Sequence, residues 1–189
     1  EIPLRLVGSE MCIRDRLYTI ARDFAELKPD ETLLDLYCGT GTIGLTMADS
    51  VKRLYGVEII PQAIEDAKIN AEINNIKNAE FFCGDASLAA EKLAQQGIKA
   101  DCIIIDPPRK GCDSTLINTI SEKFSPPRVI YISCDPATLA RDLKIFNELG
   151  YSAFKVIPVD LFPRTGHVET CVLLGRKIVN LSLIHISEP

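Results

Sequence analysis

Two residues in the C-terminal third of the chain have the types needed for covalent catalysis. Cys134 lies in Ser133-Cys134-Asp135-Pro136, at the carboxyl end of an apolar run and directly before a helical pattern. The helix dipole favours a thiolate at such an N-terminus, so the expected pKa lies below the free value of ~8.5. Glu169 opens the last apolar run, after the turn-rich Phe162-Pro-Arg-Thr-Gly-His-Val. A thiolate that adds to an electron-poor carbon and a carboxylate that later removes a proton make a nucleophile-and-base pair. Each residue also has a plainer reading. A buried cysteine is by default inert packing, and a charge on an edge strand discourages aggregation. Spacing alone leaves Cys134 undecided and favours the plainer reading for Glu169.

A second group of residues reads as a ligand site. Asp35-Leu-Tyr37-Cys-Gly39-Thr-Gly41-Thr42-Ile-Gly44 follows a strand pattern and opens a helical one, satisfying G-x-G-x-x-G. Glycines in such a turn let the backbone approach a ligand, and the helix start offers unpaired N–H groups. Glu58 ends the next strand, about 20 residues on, where a carboxylate can accept both hydroxyls of a ribose. These features suit NAD as well as S-adenosylmethionine. Asp35 tilts the balance, because a carboxylate beside the turn suits the amino group of a cationic sulfonium ligand better than a pyrophosphate. Gly84-Asp85-Ala86 and Asp106-Pro-Pro-Arg-Lys-Gly111 add acidic residues at the next two strand ends. The plainer alternative is that Asp35 and Asp85 only cap turns and helices. Taken together the acids favour S-adenosylmethionine over NAD.

These residues need strands and helices to position them, and the pattern supplies both. Strands are expected at Thr32–Leu36, Arg53–Val57, Glu80–Cys83, Cys102–Ile105, Val129–Ile132, Phe154–Val159 and Glu169–Leu174. Helices are expected at Leu17–Leu27, Ile43–Asp49, Pro61–Ile73, Leu88–Gln95, Thr115–Lys123 and Ala137–Leu149. The alternation predicts an α/β, Rossmann-like fold with a mostly parallel sheet. The last two strands lack a helix between them, which predicts an antiparallel closing edge. Ligands of such sheets bind beyond the carboxyl ends of the strands, where all these motifs fall.

With 189 residues, 47% hydrophobic and 25% charged, the chain suits one soluble globular domain. No apolar run approaches the ~20 residues of a membrane span. Twenty-one basic against 26 acidic residues give a net charge of −5, unpromising for gripping a phosphate backbone unaided. Any basic surface must be local or come from another module. Seven cysteines (Cys12, Cys38, Cys83, Cys102, Cys112, Cys134 and Cys171) form no C-x-x-C pair. That points to reduced thiols of a cytoplasmic protein and gives no motive for a metal site. Cys83, Cys102 and Cys171 lie in apolar strand runs and read as packing. Residues 1–16 show no helical or strand period, and the tail 179–189 attaches to no motif. Both ends resemble translated adapter read-through, so the expected catalytic domain is 17–178 and the chain a piece of a longer gene product.

Four ordered motifs, DLYCGTGTIGL, DPPRKG, SCDPATLARDL and PVDLFPRTGHVE, resemble the RNA uridine-5 methyltransferases, across about Leu17 to Leu174. The resemblance implies methyl transfer from S-adenosylmethionine to carbon 5 of a uridine in RNA, by way of a covalent bond to carbon 6. It makes Cys134 the nucleophile and Glu169 the proton acceptor, with Tyr37, Thr42, Glu58, Asp85 and Asp106 lining the cofactor site. Arg109 and Lys110 become candidates for RNA phosphate contacts. The DPPRKGCD wording looks most like bacterial 23S ribosomal RNA members, so ribosomal RNA is expected ahead of transfer RNA. The protein is expected to be a monomer with no evident protein partner. Two features depart from the family. Asparagine is commoner where Asp135 stands, and the family's glutamine-bearing cofactor segment and RNA-binding module have no counterpart before Leu17. An inactive cofactor-binding fragment and an NAD-dependent oxidoreductase are the competing readings.

Overall fold

The computed structural model describes residues 10–160 and 168–177, with only the backbone of 10–14. The turn-rich stretch before Glu169, the residues at the extreme N-terminus and the tail all lie outside the described residues. Seven strands are present: β1 (Thr32–Leu36), β2 (Arg53–Glu58), β3 (Ala79–Cys83), β4 (Cys102–Ile105), β5 (Arg128–Ser133), β6 (Tyr151–Val159) and β7 (Glu169–Arg176). Six helices accompany them: α1 (Glu10–Ala25), α2 (Thr42–Leu45), α3 (Pro61–Ile73), α4 (Ala86–Gln95), α5 (Ser114–Asn118) and α6 (Pro136–Glu148).

The sheet order is β3-β2-β1-β4-β5-β7-β6. The first five strands are parallel, and β7 runs antiparallel to both its neighbours. The chain order turns back between β1 and β4, which opens a crevice beyond their carboxyl ends. Strand alternation divides the core between the two faces. Ile103 and Ile105 of β4 point to the side covered by α4, α5 and α6, with Leu34, Tyr131 and Val172. Cys102 and Ile104 point to the side covered by α1, with Leu33, Ile130 and Cys171. All four β4 residues are buried, the continuous apolar run of a strand covered on both faces. On the opposite edge, β6 tolerates Pro158, because its missing N–H faces no further strand.

Three elements differ from the sequence expectation. Helix α1 begins at Glu10 rather than Leu17, so the helix extends into a stretch that shows no helical period. The expected helix at Ile43–Asp49 breaks into the short α2 and a 3₁₀ turn at Ala48–Ser50. There Met47 N–H bonds to Gly44 three residues back and Asn78 Nδ2 donates to the carbonyls of Ala48 and Val51, competing with helix continuation. Helix α5 widens into a π-helical turn over Thr119–Phe124.

Ile104 has no exposed surface at the centre of the sheet. Ile104→Ala is expected to lower unfolding stability by about 2–5 kcal/mol, read from the urea midpoint at unchanged slope.

Candidate active site

The glycine turn after β1 is built by close backbone approach. Gly39 and Gly41 adopt left-handed conformations, and Gly41 N–H bonds back to the Cys38 carbonyl at 2.8 Å. At Gly44 a Cβ would stand 2.8 Å from Asp35 Oδ2 and 2.9 Å from Leu54, so α2 sits directly on the strand below it. Asp35 is 1% exposed and accepts a 3.0 Å bond from Gly44 N–H. Burial pushes its carboxyl up to about 7, against the lowering effect of that bond. Asp35 is therefore the fastening under the turn rather than part of the cleft wall. Tyr37 holds φ 68, a left-handed backbone that costs a bulky residue about 1–3 kcal/mol. Such strain persists where surrounding structure imposes it, and Tyr37 stands on the wall of the main cleft.

That cleft, of about 650 Å³, opens beyond the carboxyl ends of β1, β2, β3 and β4. Glu58, Asp85 and Asp106 line it with Tyr37, Ile59 and Pro107. Glu58 accepts from Gly39 N–H at 3.2 Å and from Ile60 N–H at 3.0 Å, one bond to each oxygen. Each oxygen keeps a lone pair, so the carboxylate is held for two further donors such as ribose hydroxyls. Asp85 caps α4 through Oδ1, accepting from Ser87 and Leu88 N–H. The capping reading and the lining reading both describe it. Thr42 takes no place in this cleft. It stands on a separate groove with Leu45, Asn70 and Asn74, its hydroxyl 3.1 Å from that of Thr40.

Asp106 joins the cleft to Cys134. Its side chain opens toward solvent in the cleft while protein crowds it elsewhere. That crowding, and then the charge of Glu169, push its carboxyl up to about 7. Antiparallel pairing of β5 with β7 sets Ser133 opposite Thr170. The residue after one and the residue before the other, Cys134 and Glu169, are therefore neighbours at one end of the sheet. Both are half-buried, and each lies within electrostatic reach of Asp106 or the other.

The expected thiol activation is corrected by this geometry. Burial raises the Cys134 pKa above the ordinary thiol value, with Glu169 and then Asp106 adding to the rise, while Arg109 opposes it. Cys134 stands one residue before the N-cap of α6. The cap itself, Asp135, already accepts from the N–H groups of Ala137 and Thr138. Cys83 is a second correction. It is exposed, as the last residue of the edge strand β3. Cys102 and Cys171 are buried as expected, and burial pushes both thiols up to about 12.

Sequence reasoning missed Asp142. It lies in the SCDPATLARDL motif but has no exposed surface, and it ties α6 to the DPPRKG loop through Cys112 N–H. A charged residue on an otherwise amphipathic helix face was the available signal.

An open α/β sheet of this order, with a glycine turn under an acid and a carboxylate closing β2, defines the fold of the S-adenosylmethionine-dependent methyltransferases. A precorrin-6y C5,15-methyltransferase from Geobacter metallireducens, 13% identical over 86% of this chain and 88% of its own, shares that fold with a TM-score of 0.71. The chain belongs to the tRNA (Uracil-5-)-methyltransferase family, whose pattern it matches over residues 9–177. It is 52% identical over 160 residues to an uncharacterized RNA methyltransferase of Bacillus cereus, covering 85% of this chain and 35% of the relative. One from Clostridium acetobutylicum is 52% identical over 162 residues, covering 86% and 35%. The tRNA (uracil-54, C5)-methyltransferase of Pyrococcus abyssi, solved with S-adenosyl-L-homocysteine, is 33% identical with a TM-score of 0.67, covering 82% of this chain and 37% of its own. The chain thus spans about a third of the length of these relatives. No described helix is long and apolar enough to cross a membrane, and no metal-ligating cluster occurs among the described residues.

The raised Asp106 carboxyl has a consequence for stability. Its folded pKa of about 7 exceeds the ordinary 3.8, so its contribution is fully present below pH 3.8 and lost as pH rises through about 7. Asp106→Asn, uncharged throughout, should therefore be more stable than the natural chain at about pH 8 and equal to it near the acid limit. Urea midpoints at the two pH values check this.

Proposed function

We propose that this chain is the catalytic core of an enzyme that methylates carbon 5 of a uridine in RNA, using S-adenosylmethionine. What carries the reading is the junction of two features: a ribose-competent cleft at the sheet's switch point, and Cys134 beside Glu169 at its end. Family membership supports the same chemistry. The cleft residues fit the cofactor: Glu58 for the ribose, Asp85 and the apolar Ile59 for the base, and Tyr37 and Asp106 along the wall. Its volume lies in the range of small-molecule sites. When bound, S-adenosylmethionine supplies an electrophilic methyl on a sulfonium.

Carbon 5 of uracil is a weak nucleophile, and Cys134 removes that obstacle. Its thiolate adds to carbon 6, forming a C–S bond and pushing the double-bond electrons toward carbon 5 and the carbonyl at carbon 4. Carbon 5, now enolate-like, would form a bond to the methyl as the methyl–sulfonium bond breaks, leaving a neutral thioether. Glu169 then takes the remaining proton from carbon 5, the double bond reforms, and the C–S bond breaks to release the Cys134 thiolate. The raised thiol pKa means that ionisation of Cys134 is part of the work done on binding substrate. Reaching carbon 6 requires the base to be unstacked, either flipped out or presented by a loop.

Arg109 and Lys110, exposed on the loop after β4, supply local positive charge for the RNA backbone in a chain of net charge −5. The DPPRKGCD wording favours 23S ribosomal RNA over transfer RNA as the first substrate to test. We also take 17–178 as the catalytic domain and the protein as a cytoplasmic monomer.

Fluorine in place of the carbon 5 hydrogen cannot leave as a proton, so 5-fluorouridine RNA should stall the enzyme as a methylated adduct. Mass spectrometry is expected to place that adduct on Cys134 and to find none after Cys134→Ala; an adduct surviving that change would remove Cys134 from the mechanism. With ordinary RNA, Glu169→Gln should accumulate adduct while turnover falls by about 10²–10⁴-fold. Normal turnover in that variant would dismiss Glu169. Comparing 23S ribosomal with transfer RNA in the same assay decides between the substrates.

A further inference from the structure

Asp142 is a fully buried charge that the reaction described above does not use. It sits on the second turn of α6. Its Oδ2 accepts from Tyr131 Oη at 2.6 Å and Cys112 N–H at 2.7 Å. Its Oδ1 accepts from Nε and Nη2 of the adjacent Arg141, at 2.8 and 2.7 Å. Burying an ion pair returns little net stability, because desolvation offsets the attraction. What the pair holds in place is the more informative question.

It holds the loop between β4 and α5. Arg141 Nη2 donates to the Lys110 carbonyl at 2.8 Å and lies 3.4 Å from that of Cys112. Thr138 Oγ1 donates to the Arg109 carbonyl at 3.1 Å. Gly111, at φ +76, is pressed so close that a Cβ there would stand 2.5 Å from both Arg141 Nη2 and Asp142 Oδ2. Every residue from 109 to 112 is therefore bonded to α6 or in van der Waals contact with it. Helix α6 also begins just after Cys134, so loop and nucleophile ride on one element. Three charged groups act on the thiol: Glu169 from β7, Asp106 from the end of β4, and Arg109 from this loop. Arg109 is the cation among them, and it acts on Asp135 as well.

We propose that Arg141 and Asp142 are a positioning pair: they fix the backbone of residues 109–112 against α6, the helix that starts beside Cys134, and so hold Arg109 on the element that carries the thiol. There its charge offsets the two carboxylates, favouring the thiolate that must form. The functional importance of the arrangement rests on Cys134 being the nucleophile, but its geometry can be tested without RNA or methyl transfer.

The experiment is alkylation of the full chain by iodoacetamide across pH, followed at each cysteine by peptide mass spectrometry. In Arg141→Met, Asp142 keeps its bonds from Tyr131 Oη and Cys112 N–H, while exposed Cys83 and buried Cys102 and Cys171 serve as internal controls for the intact fold. Arg109→Met and Arg141→Met are each expected to slow Cys134 alkylation at neutral pH by about three- to tenfold and to move its profile to higher pH. The double variant should be no slower than Arg109→Met, because Arg141 acts through Arg109. Cys83 should be unaffected. An unshifted Cys134 profile in Arg141→Met, or additive slowing in the double variant, would overturn the proposal. So would new alkylation of Cys102 and Cys171, which would mark a general loosening of the fold. Because no RNA is involved, any of these results is separable from failure of the methyltransferase reading itself.

Discussion

The insertion of β7 antiparallel between β5 and β6 is the constraint on which the site depends. In a fully parallel sheet every strand would deliver its carboxyl end to the ligand crevice and its amino end to the opposite rim. Reversing one strand brings an amino end to the crevice instead. The first residue of β7, Glu169, thus stands beside the residue that follows β5, Cys134. Both lie within electrostatic reach of Asp106, which follows β4 and lines the cleft. Three distant segments converge because of one strand direction, and the pairing is fixed by two ladders of hydrogen bonds rather than by the site residues themselves.

That convergence is electrostatically costly. Asp35, Glu58, Asp106 and Glu169 crowd the carboxyl ends of the strands, and their mutual repulsion contributes to the raised carboxyls of Asp35 and Asp106. A site that concentrates negative potential in this way is matched to a cationic ligand, and a sulfonium is one. The same field opposes ionisation of Cys134. In the proposed reaction, attraction of a methyl-bearing cation therefore competes with formation of a thiolate. Arg109 is the compensating charge, and the bonds that tie its loop to α6 give it a fixed address. Asp35 meanwhile serves the backbone: its bond to Gly44 N–H fastens the glycine turn against β1.

Much of the fold was legible in the chain because its elements carry strong local signals. Val- and Ile-rich runs bounded by turn residues marked the strands to within a few residues. Asp135-Pro136 marked the start of α6, where the structure shows the side-chain cap and the first-turn proline. Local signals failed where tertiary contacts decide. The break after α2 comes from Asn78, far along the chain, bonding to carbonyls that a continuing helix would use. Cys83 read as core because its run is apolar, yet exposure follows from edge position, which no run of residues records. Asp142 passed unnoticed because its partners at Tyr131 and Cys112, on two other segments, meet it only in the folded molecule.

The sequence by itself determined the fold class, the glycine turn and the carboxylate that ends β2, since each is written in residue types at short spacing. Only the tertiary structure decided what those residues experience. It placed Thr42 on a separate groove, put Asp35 beneath the turn, and raised the Cys134 pKa where the helix start had suggested the opposite. The physical reason is range. Hydrogen-bonding and turn preferences act over a few neighbours and can be read along the chain. Burial and Coulomb forces act through space, and they depend on which segments the sheet brings together.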